Sequence, residues 1–346
     1  MSLEISVFIF ASAVLTAFGI DRFWGEPPVR WHPVVWMGRY LGWAGRRLAM
    51  GATTLDPDFK RFWLGALAWS AGAAIVCVAS WALQQELLTL PERLGLIPGG
   101  VLAVLLLGLA LKPMLAWAML RCEVLAVEQA LSPDHGGSLA AGRERLRWLV
   151  SRDVSHLSET EVRESAIESL AENLHDSVVA PIFWFVLLGL PGAALYRFAN
   201  TADAMWGYRG VYQGSNWEWA GKWAARADDV LSWIPARITA VLLAVVSRAQ
   251  RTSSTPLAPL AASFMTRLLA EARRTPSPNS GWPMAAMALA LGVSLNKPGV
   301  YVLNAAGQAP QAQDTTRAIG YASKVVLVLV AIAQAAIIFI AFRWMA

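Results

Sequence analysis

Long apolar runs separated by charged stretches restrict this chain more than any other feature in it. Residues 3–20 (LEISVFIFASAVLTAFGI), 62–85, 99–120 and 323–342 approach or exceed the roughly 20 residues that cross a hydrocarbon core as a helix. Inside a bilayer the backbone is satisfied only in helices or closed barrels, and these runs are continuous rather than alternating, so helices follow. Hydrophobic residues make up 56% of the chain and charged ones 15%, against about 25% charged in a soluble domain. The expectation is an all-α polytopic membrane protein, a helical bundle with roughly 4–6 embedded segments, some of them re-entrant, and polar helices on the cytoplasmic side.

Two further segments are less regular. Residues 178–199 are apolar but interrupted by GLPGA at 189–193, which breaks a spanning helix. A full crossing would place Arg197, Arg209, Lys222 and Arg226 outside, so the sequence favours two half-helices that enter and return. In 230–248 the apolar part is too short to span alone, and its topology stays open. The whole of 1–346 is expected to form a single membrane domain.

Charge sets the orientation. Arg22, Arg30, Arg39, Arg46, Arg47, Lys60 and Arg61 crowd the loop 21–61, which the positive-inside rule puts in the cytoplasm. Segments 121–177, 200–229 and 249–280 are expected there too. The first run lacks the basic flank and small-residue cleavage site of a signal peptide, so it is expected to be retained. Net charge is +5 without a long basic stripe, which argues against nucleic acid as a partner. Cys77 and Cys122 lie far apart and define no disulfide framework. Among the four histidines there is no HExxH pair, and the chain has no Walker A loop and no G-x-G-x-x-G.

The stretch from Arg152 to Pro181, RDVSHLSETEVRESAIESLAENLHDSVVAP, is the densest run of charge. Ser158 and Glu161 form a capping box, which predicts a helix from about Glu159 to about His175. Val162, Ala166, Ile167, Leu170 and Leu174 share one side; at about 100° per residue, Glu161, Glu164, Glu168 and Glu172 share the other. Such a column repels itself, and only Arg163 lies within the helix to offset it. A solvated face is one reading. The helix runs directly into VVAPIFWFVLLGL, however, so the alternative is a column compensated by Mg²⁺ or by basic side chains from elsewhere.

Other polar blocks accompany it. DRFWGEPPVRWHPVVWMGR in the first loop carries Arg30 and His32, either an anion contact or an interface anchor. YRFANTADAMWGYRG and WEWAGKWAARADDVLSWIPARIT follow the interrupted segment. Glu218, Lys222 and Arg226 form an i,i+4,i+8 stripe readable as surface ion pairing. Asp229 and Arg237 continue into apolar sequence, where ionisable residues are costly and suspected of function.

Taken together, the Arg152–Pro181 stretch, YRFANTADAMWGYRG, WAARADDVLSWIPARITA, SPNSGWPMAAMA and RWHPVVWMGR, in this order apart from the last, N-terminal block, resemble the membrane-bound adenosylcobinamide-phosphate synthase family of cobalamin biosynthesis. The resemblance implies a ligase that joins adenosylcobyric acid, through a propionate carboxylate, to aminopropanol or its phosphate, with ATP as co-substrate and Mg²⁺. Such chemistry needs an activated acid, a cradle for phosphates and a group that deprotonates an ammonium. On the matching blocks, Glu168, Glu172 and Asp176 are expected to bind Mg²⁺ or act as base, with Asn173 orienting and Arg152 and Asp153 at the mouth. Asn200, Asp203, Arg209, Arg226, Asp228 and Asp229 are expected to form an opposing wall, joined by Lys222, Arg237, His32 and Asn279 as substrate or phosphate contacts. The implied setting is the cell inner membrane with a cytoplasmic site and association with other late enzymes of the pathway. A non-catalytic signalling relative of the same superfamily and a small-solute transporter are the competing readings.

Overall fold

A computed structural model describes residues 3–49, 57–133, 136–249 and 257–345. Parts of the expected polar segments 21–61, 121–177 and 249–280 therefore lie outside the described residues. Fourteen α-helices follow in chain order among the described residues: α1 (Leu3–Phe23), α2 (Pro33–Leu48), α3 (Phe59–Leu88), α4 (Leu90–Leu94), α5 (Leu96–Leu111), α6 (Trp117–Leu131), α7 (Leu139–Leu146), α8 (Glu159–Leu174), α9 (Ala180–Leu188), α10 (Leu190–Trp206), α11 (Lys222–Ala249), α12 (Leu257–Ala272), α13 (Gly281–Leu291) and α14 (Ala312–Met345). The only sheets among those residues are two short antiparallel hairpins, Val211–Asn216 and Leu295–Leu303. The protein is an all-α polytopic membrane protein. Among the described residues, five helical stretches are long and apolar enough to cross a bilayer: Glu4–Phe23, Phe59–Leu94, Leu96–Met114, Lys222–Ala249 and Ala312–Ile340.

The chain divides into two compact units. The first comprises residues 1–116, 180–232 and 332–346. Here α1 packs on α5, and α10 packs on α2, α3 and α9. Close approach of α1 and α5 depends on Gly108, where a Cβ would lie 2.6 Å from Thr16. The third apolar run is shorter than its hydropathy implies: Lys112–Met114 close it in a 3₁₀ turn, Pro113 being unable to continue the ladder, and α6 starts afresh at Trp117. The expected break in 178–199 falls at Gly189, whose φ of +68° is open to glycine, between α9 and α10. The side chain of Gln84 accepts a hydrogen bond from Leu190 N at 2.8 Å, satisfying one orphan donor at the new helix start. Neither half is a candidate span. By contrast, α11 runs unbroken for 28 residues through Pro235, which makes residues 230–248 part of one long helix rather than a short embedded piece.

The second unit comprises residues 117–179 and 233–331. Its centre is α8, packed by α6, α7, α13 and the hairpin Leu295–Leu303. The capping box forms as the sequence requires, with Ser158 N donating to Glu161 Oε2 at 2.7 Å and Ser158 Oγ accepting from Glu161 N. The α-helix ends at Leu174 and passes into a π turn, His175–Val179, a form often found at functional sites. Apart from Trp282, all of α13 is buried, so this apolar helix is core and not a span.

Candidate active site

Every residue of α8 from Val162 to Ala171 is buried, including both polar and apolar faces. The solvated-face reading of the acidic column is thereby overturned. Glu164 and Glu168 are each 5% exposed, and Glu172 is half-buried. Buried carboxylates require counter-charge and hydrogen bonds. Arg163 does not supply them, because its guanidinium forks onto Glu128 of α6 at 2.9 and 3.0 Å and reaches Glu159 at 2.7 Å. Compensation comes from outside the helix: Arg152 Nη2 lies 3.3 Å from Glu168 Oε2 and also donates to Ser165 Oγ.

The other side of the column is closed by the hairpin Leu295–Leu303. Its register pairs Lys297 with Tyr301 across a Pro298–Gly299–Val300 loop. The Tyr301 hydroxyl lies within hydrogen-bonding reach of Glu168 and approaches Met284 Sδ of α13 at 3.6 Å, and the Lys297 ammonium acts on Glu168 from the same hairpin. Burial pushes the Glu168 carboxyl above the usual carboxylate range against the pull of Arg152, Tyr301 and Lys297. At Glu164, burial, then repulsion from Glu168 and Glu161, pushes the carboxyl up to about 7, while the backbone at Asn296 hydrogen-bonds to it. Tyr301 is pushed upward by burial and by Glu168 and Glu172, so it remains a neutral O–H donor. Glu164, Lys297 and Tyr301 join this cluster without having been singled out as candidates from the sequence. Lys297-Pro298-Gly299 is a turn signal flanked by Leu295 and Tyr301, from which a hairpin was readable, though not its partner.

The remaining expected residues of this unit have defined places. Asn173 donates to Ser169 O at 2.9 Å, one turn back on the acidic side. Asp176 pairs with the buried His175 Nδ1 at 2.6 Å within the π turn. Asp153 is exposed and accepts from Ser155 N and Oγ, both at 2.9 Å; these two hydrogen bonds hold its carboxyl below the usual range. It shapes its own turn. Arg237 and Asn279, far apart in sequence, meet: Arg237 Nη1 donates to Asn279 Oδ1 at 2.7 Å and to Trp233 O at 2.7 Å, and Nη2 donates to Pro278 O at 3.2 Å. Its guanidinium stacks between Trp233 and Trp282, 4.3 and 4.8 Å from the ring centroids. With most donors spent on protein oxygens, Arg237 ties α11 to the turn before α13. The adjoining hollow of about 610 Å³ is bordered by Arg273.

Within the first unit, Asn200 and Asp203 are half-buried one turn apart on α10. Arg209 is exposed and sits within electrostatic reach of Asp229 on α11. Asp228 accepts from Ser232 Oγ at 3.4 Å, and Ser232 meets Tyr196 at 3.2 Å. Lys222 lies 3.5 Å from Glu218, as the ion-pair reading of that stripe requires, and over the Trp219 ring at 3.8 Å; Arg226 is exposed. His32 caps α2 through Val34 N and contacts Glu26 at 3.3 Å; Glu26 in turn meets Lys112 at 2.6 Å.

Glu168 and Glu172, i,i+4 on α8, offer hard oxygens on one face. Asp176 is engaged by His175, and no closed set of three metal-binding side chains occurs among the described residues. The donor chemistry fits Mg²⁺ held by one or two carboxylates with substrate phosphates completing the shell.

Residues 14–338 match the family described as CobD/Cbib protein. The chain is 41% identical over 297 residues to the probable cobalamin biosynthesis protein CobD of Methanothermobacter thermautotrophicus, covering 84% of this chain and 86% of that one. To the cobalamin biosynthesis protein CobD of Brucella suis it is 34% identical over 321 residues, 88% and 89% of the two chains, and to that of Chromobacterium violaceum 39% over 276 residues, 80% and 78%. No solved structure matches it.

Proposed function

The chain belongs to the CobD/Cbib protein family, and from that premise we propose that it is an enzyme of cobalamin biosynthesis, an amide ligase joining adenosylcobyric acid to aminopropanol or its phosphate at the expense of ATP. The observation that carries the reading is the buried acidic column of α8, lined by Arg152 from the preceding loop and by Lys297 and Tyr301 from the hairpin Leu295–Leu303. The column is met by Arg152, Lys297 and Tyr301 while its carboxylates stay grouped and their ionisation is perturbed, the kind of cluster found at functional sites.

In this reading Arg152 and Lys297 hold anionic groups of the substrates against the column, and Tyr301 donates to Glu168 to fix its orientation. Glu164, with its carboxyl at about 7, is suited to take the proton of the incoming ammonium and pass it on. Glu172 and Glu168 would hold Mg²⁺, which when bound supplies charge neutralisation for the transferring phosphate. In the first unit, Asn200, Asp203, Arg209, Arg226, Asp228 and Asp229 are proposed as substrate or phosphate contacts. The setting proposed is the cell inner membrane with this site on the cytoplasmic side.

The test is an assay of the detergent-solubilised protein with adenosylcobyric acid, aminopropanol phosphate, ATP and Mg²⁺, each also omitted in turn, with the corrinoid followed by mass spectrometry. Amide product dependent on every component is expected. Corrinoid binding without product, in the presence of all components, would remove the ligase reading in favour of a binding role.

A further inference from the structure

Within the first unit a groove of about 1310 Å³ runs between α1, α2, α3, α5 and α10. Its long walls are the apolar faces of spanning helices. Ile75 and Leu83 of α3, and Leu105 and Leu109 of α5, line it while remaining exposed, so in a bilayer it faces hydrocarbon along its length. Charge enters at one end only, where Glu26 and Lys112 join the lining.

That end is built as a rigid rim. Lys112 is 1% exposed and meets Asp21 at 3.2 Å and Glu26 at 2.6 Å, and Glu26 meets His32. Trp36 Nε1 donates to Arg30 O at 2.9 Å, closing the loop. Trp24, Trp31 and Trp36 line the groove there and are 81%, 63% and 48% exposed, the placement of an interface belt. Lys112 offsets one of its two carboxylate partners; Asp21 is buried and Glu26 half-buried against it, so the charges exposed at the rim are those of Arg22 and Arg30. Both are exposed, and each stacks on an aromatic residue of the lining, Phe23 at 5.8 Å and Trp31 at 5.7 Å.

We infer that this groove is a binding site for one phospholipid of the surrounding bilayer, an acyl chain lying between α3 and α5 and an anionic headgroup phosphate resting on Arg22 and Arg30. An apolar trough open to hydrocarbon selects an acyl chain by burial, and a cationic aromatic rim at interface depth selects the headgroup. A polar amide-rich corrinoid finds hydrogen-bonding groups at only one end of it. The groove shares no residue with the α8 column, and its test does not involve synthase activity.

The full-length protein is purified in mild detergent, and retained lipid is identified by native mass spectrometry and by extraction. One phospholipid per chain, enriched in phosphatidylglycerol over neutral headgroups, is expected. Ala79→Trp fills the trough from α3 and Leu105→Trp from α5; each lowers retention about tenfold, as when roughly two methylenes go unburied. Arg22→Gln with Arg30→Gln keeps a lipid but loses the anionic preference. Unchanged retention in the filled variants, or a retained mass that is detergent or corrinoid, would overturn the inference. Should both filled variants fail to fold, delipidated wild type titrated with phosphatidylglycerol and with phosphatidylcholine decides, and the absence of a saturable preference for the former refutes it.

Discussion

Replacing Arg163 with methionine should be among the most damaging single changes to the second unit, although the residue touches nothing in the proposed chemistry. Arg163 and Glu128 are 8% and 9% exposed, and the guanidinium fork places two nitrogens within 3.1 Å of the carboxylate. Removing one partner of a buried pair strands the other, typically at about 3–5 kcal/mol. Here Thr315 Oγ1 donates to Glu128 Oε2 at 2.7 Å and would go on doing so, which points to the lower end, about 3 kcal/mol. On the usual scaling for units of this size that lowers Tm by roughly 6–12 °C. The assay is thermal unfolding in detergent, followed by intrinsic fluorescence, for Arg163→Met, Glu128→Leu and the double variant. The double variant should recover most of the loss, because two apolar side chains of similar volume leave no stranded charge. A single variant within about 1 kcal/mol of wild type, or a double variant no better than the singles, would refute the account of α8 as a helix pinned by this pair.

Three further outcomes follow from the same geometry. Tyr301→Phe should lower kcat about tenfold or more by removing the donor beside Glu168, with little change in melting temperature; steady-state kinetics of the synthase assay checks it. Glu164, whose carboxyl is raised to about 7 in the folded protein, favours the protonated fold. Its contribution is fully present below the ordinary glutamate pKa and is lost as pH rises through 7, by at most about 3 kcal/mol. Glu164→Gln should flatten that decline between pH 5 and 8, and an unchanged pH–stability profile would contradict it. Gly189→Ala should destabilise the α9–α10 break by more than about 1–3 kcal/mol, since φ is +68° and a Cβ would lie 2.3 Å from Gln84 Oε1; loss of folded protein in size-exclusion profiles is the readout.

What could be read from sequence was what depends on near neighbours. Apolar length, the capping box at Ser158 and Glu161, the break at Gly189 and the angular column of glutamates are all set within one to five turns of chain. The five matching blocks carried the family. Two segments take their bounds from local causes: Pro113 ends a run that hydropathy extends to 120, and α11 continues through Pro235 and takes in residues 230–248, whose topology the sequence leaves open.

Only the tertiary structure decided whether the acidic column is wet or buried, and what answers its charge. Periodicity gives the face on which Glu164, Glu168 and Glu172 lie, but burial is a property of what packs there, and that is a hairpin more than a hundred residues downstream. The same holds for Arg163 with Glu128, 35 residues apart, and for Arg237 with Asn279, 42 apart. A charged side chain's sequence is the same whether it meets water, its own helix or a distant partner. The cost of burying it unpaired makes the partner obligatory, yet only the folded chain, by bringing distant segments to one place, determines which residue that partner is.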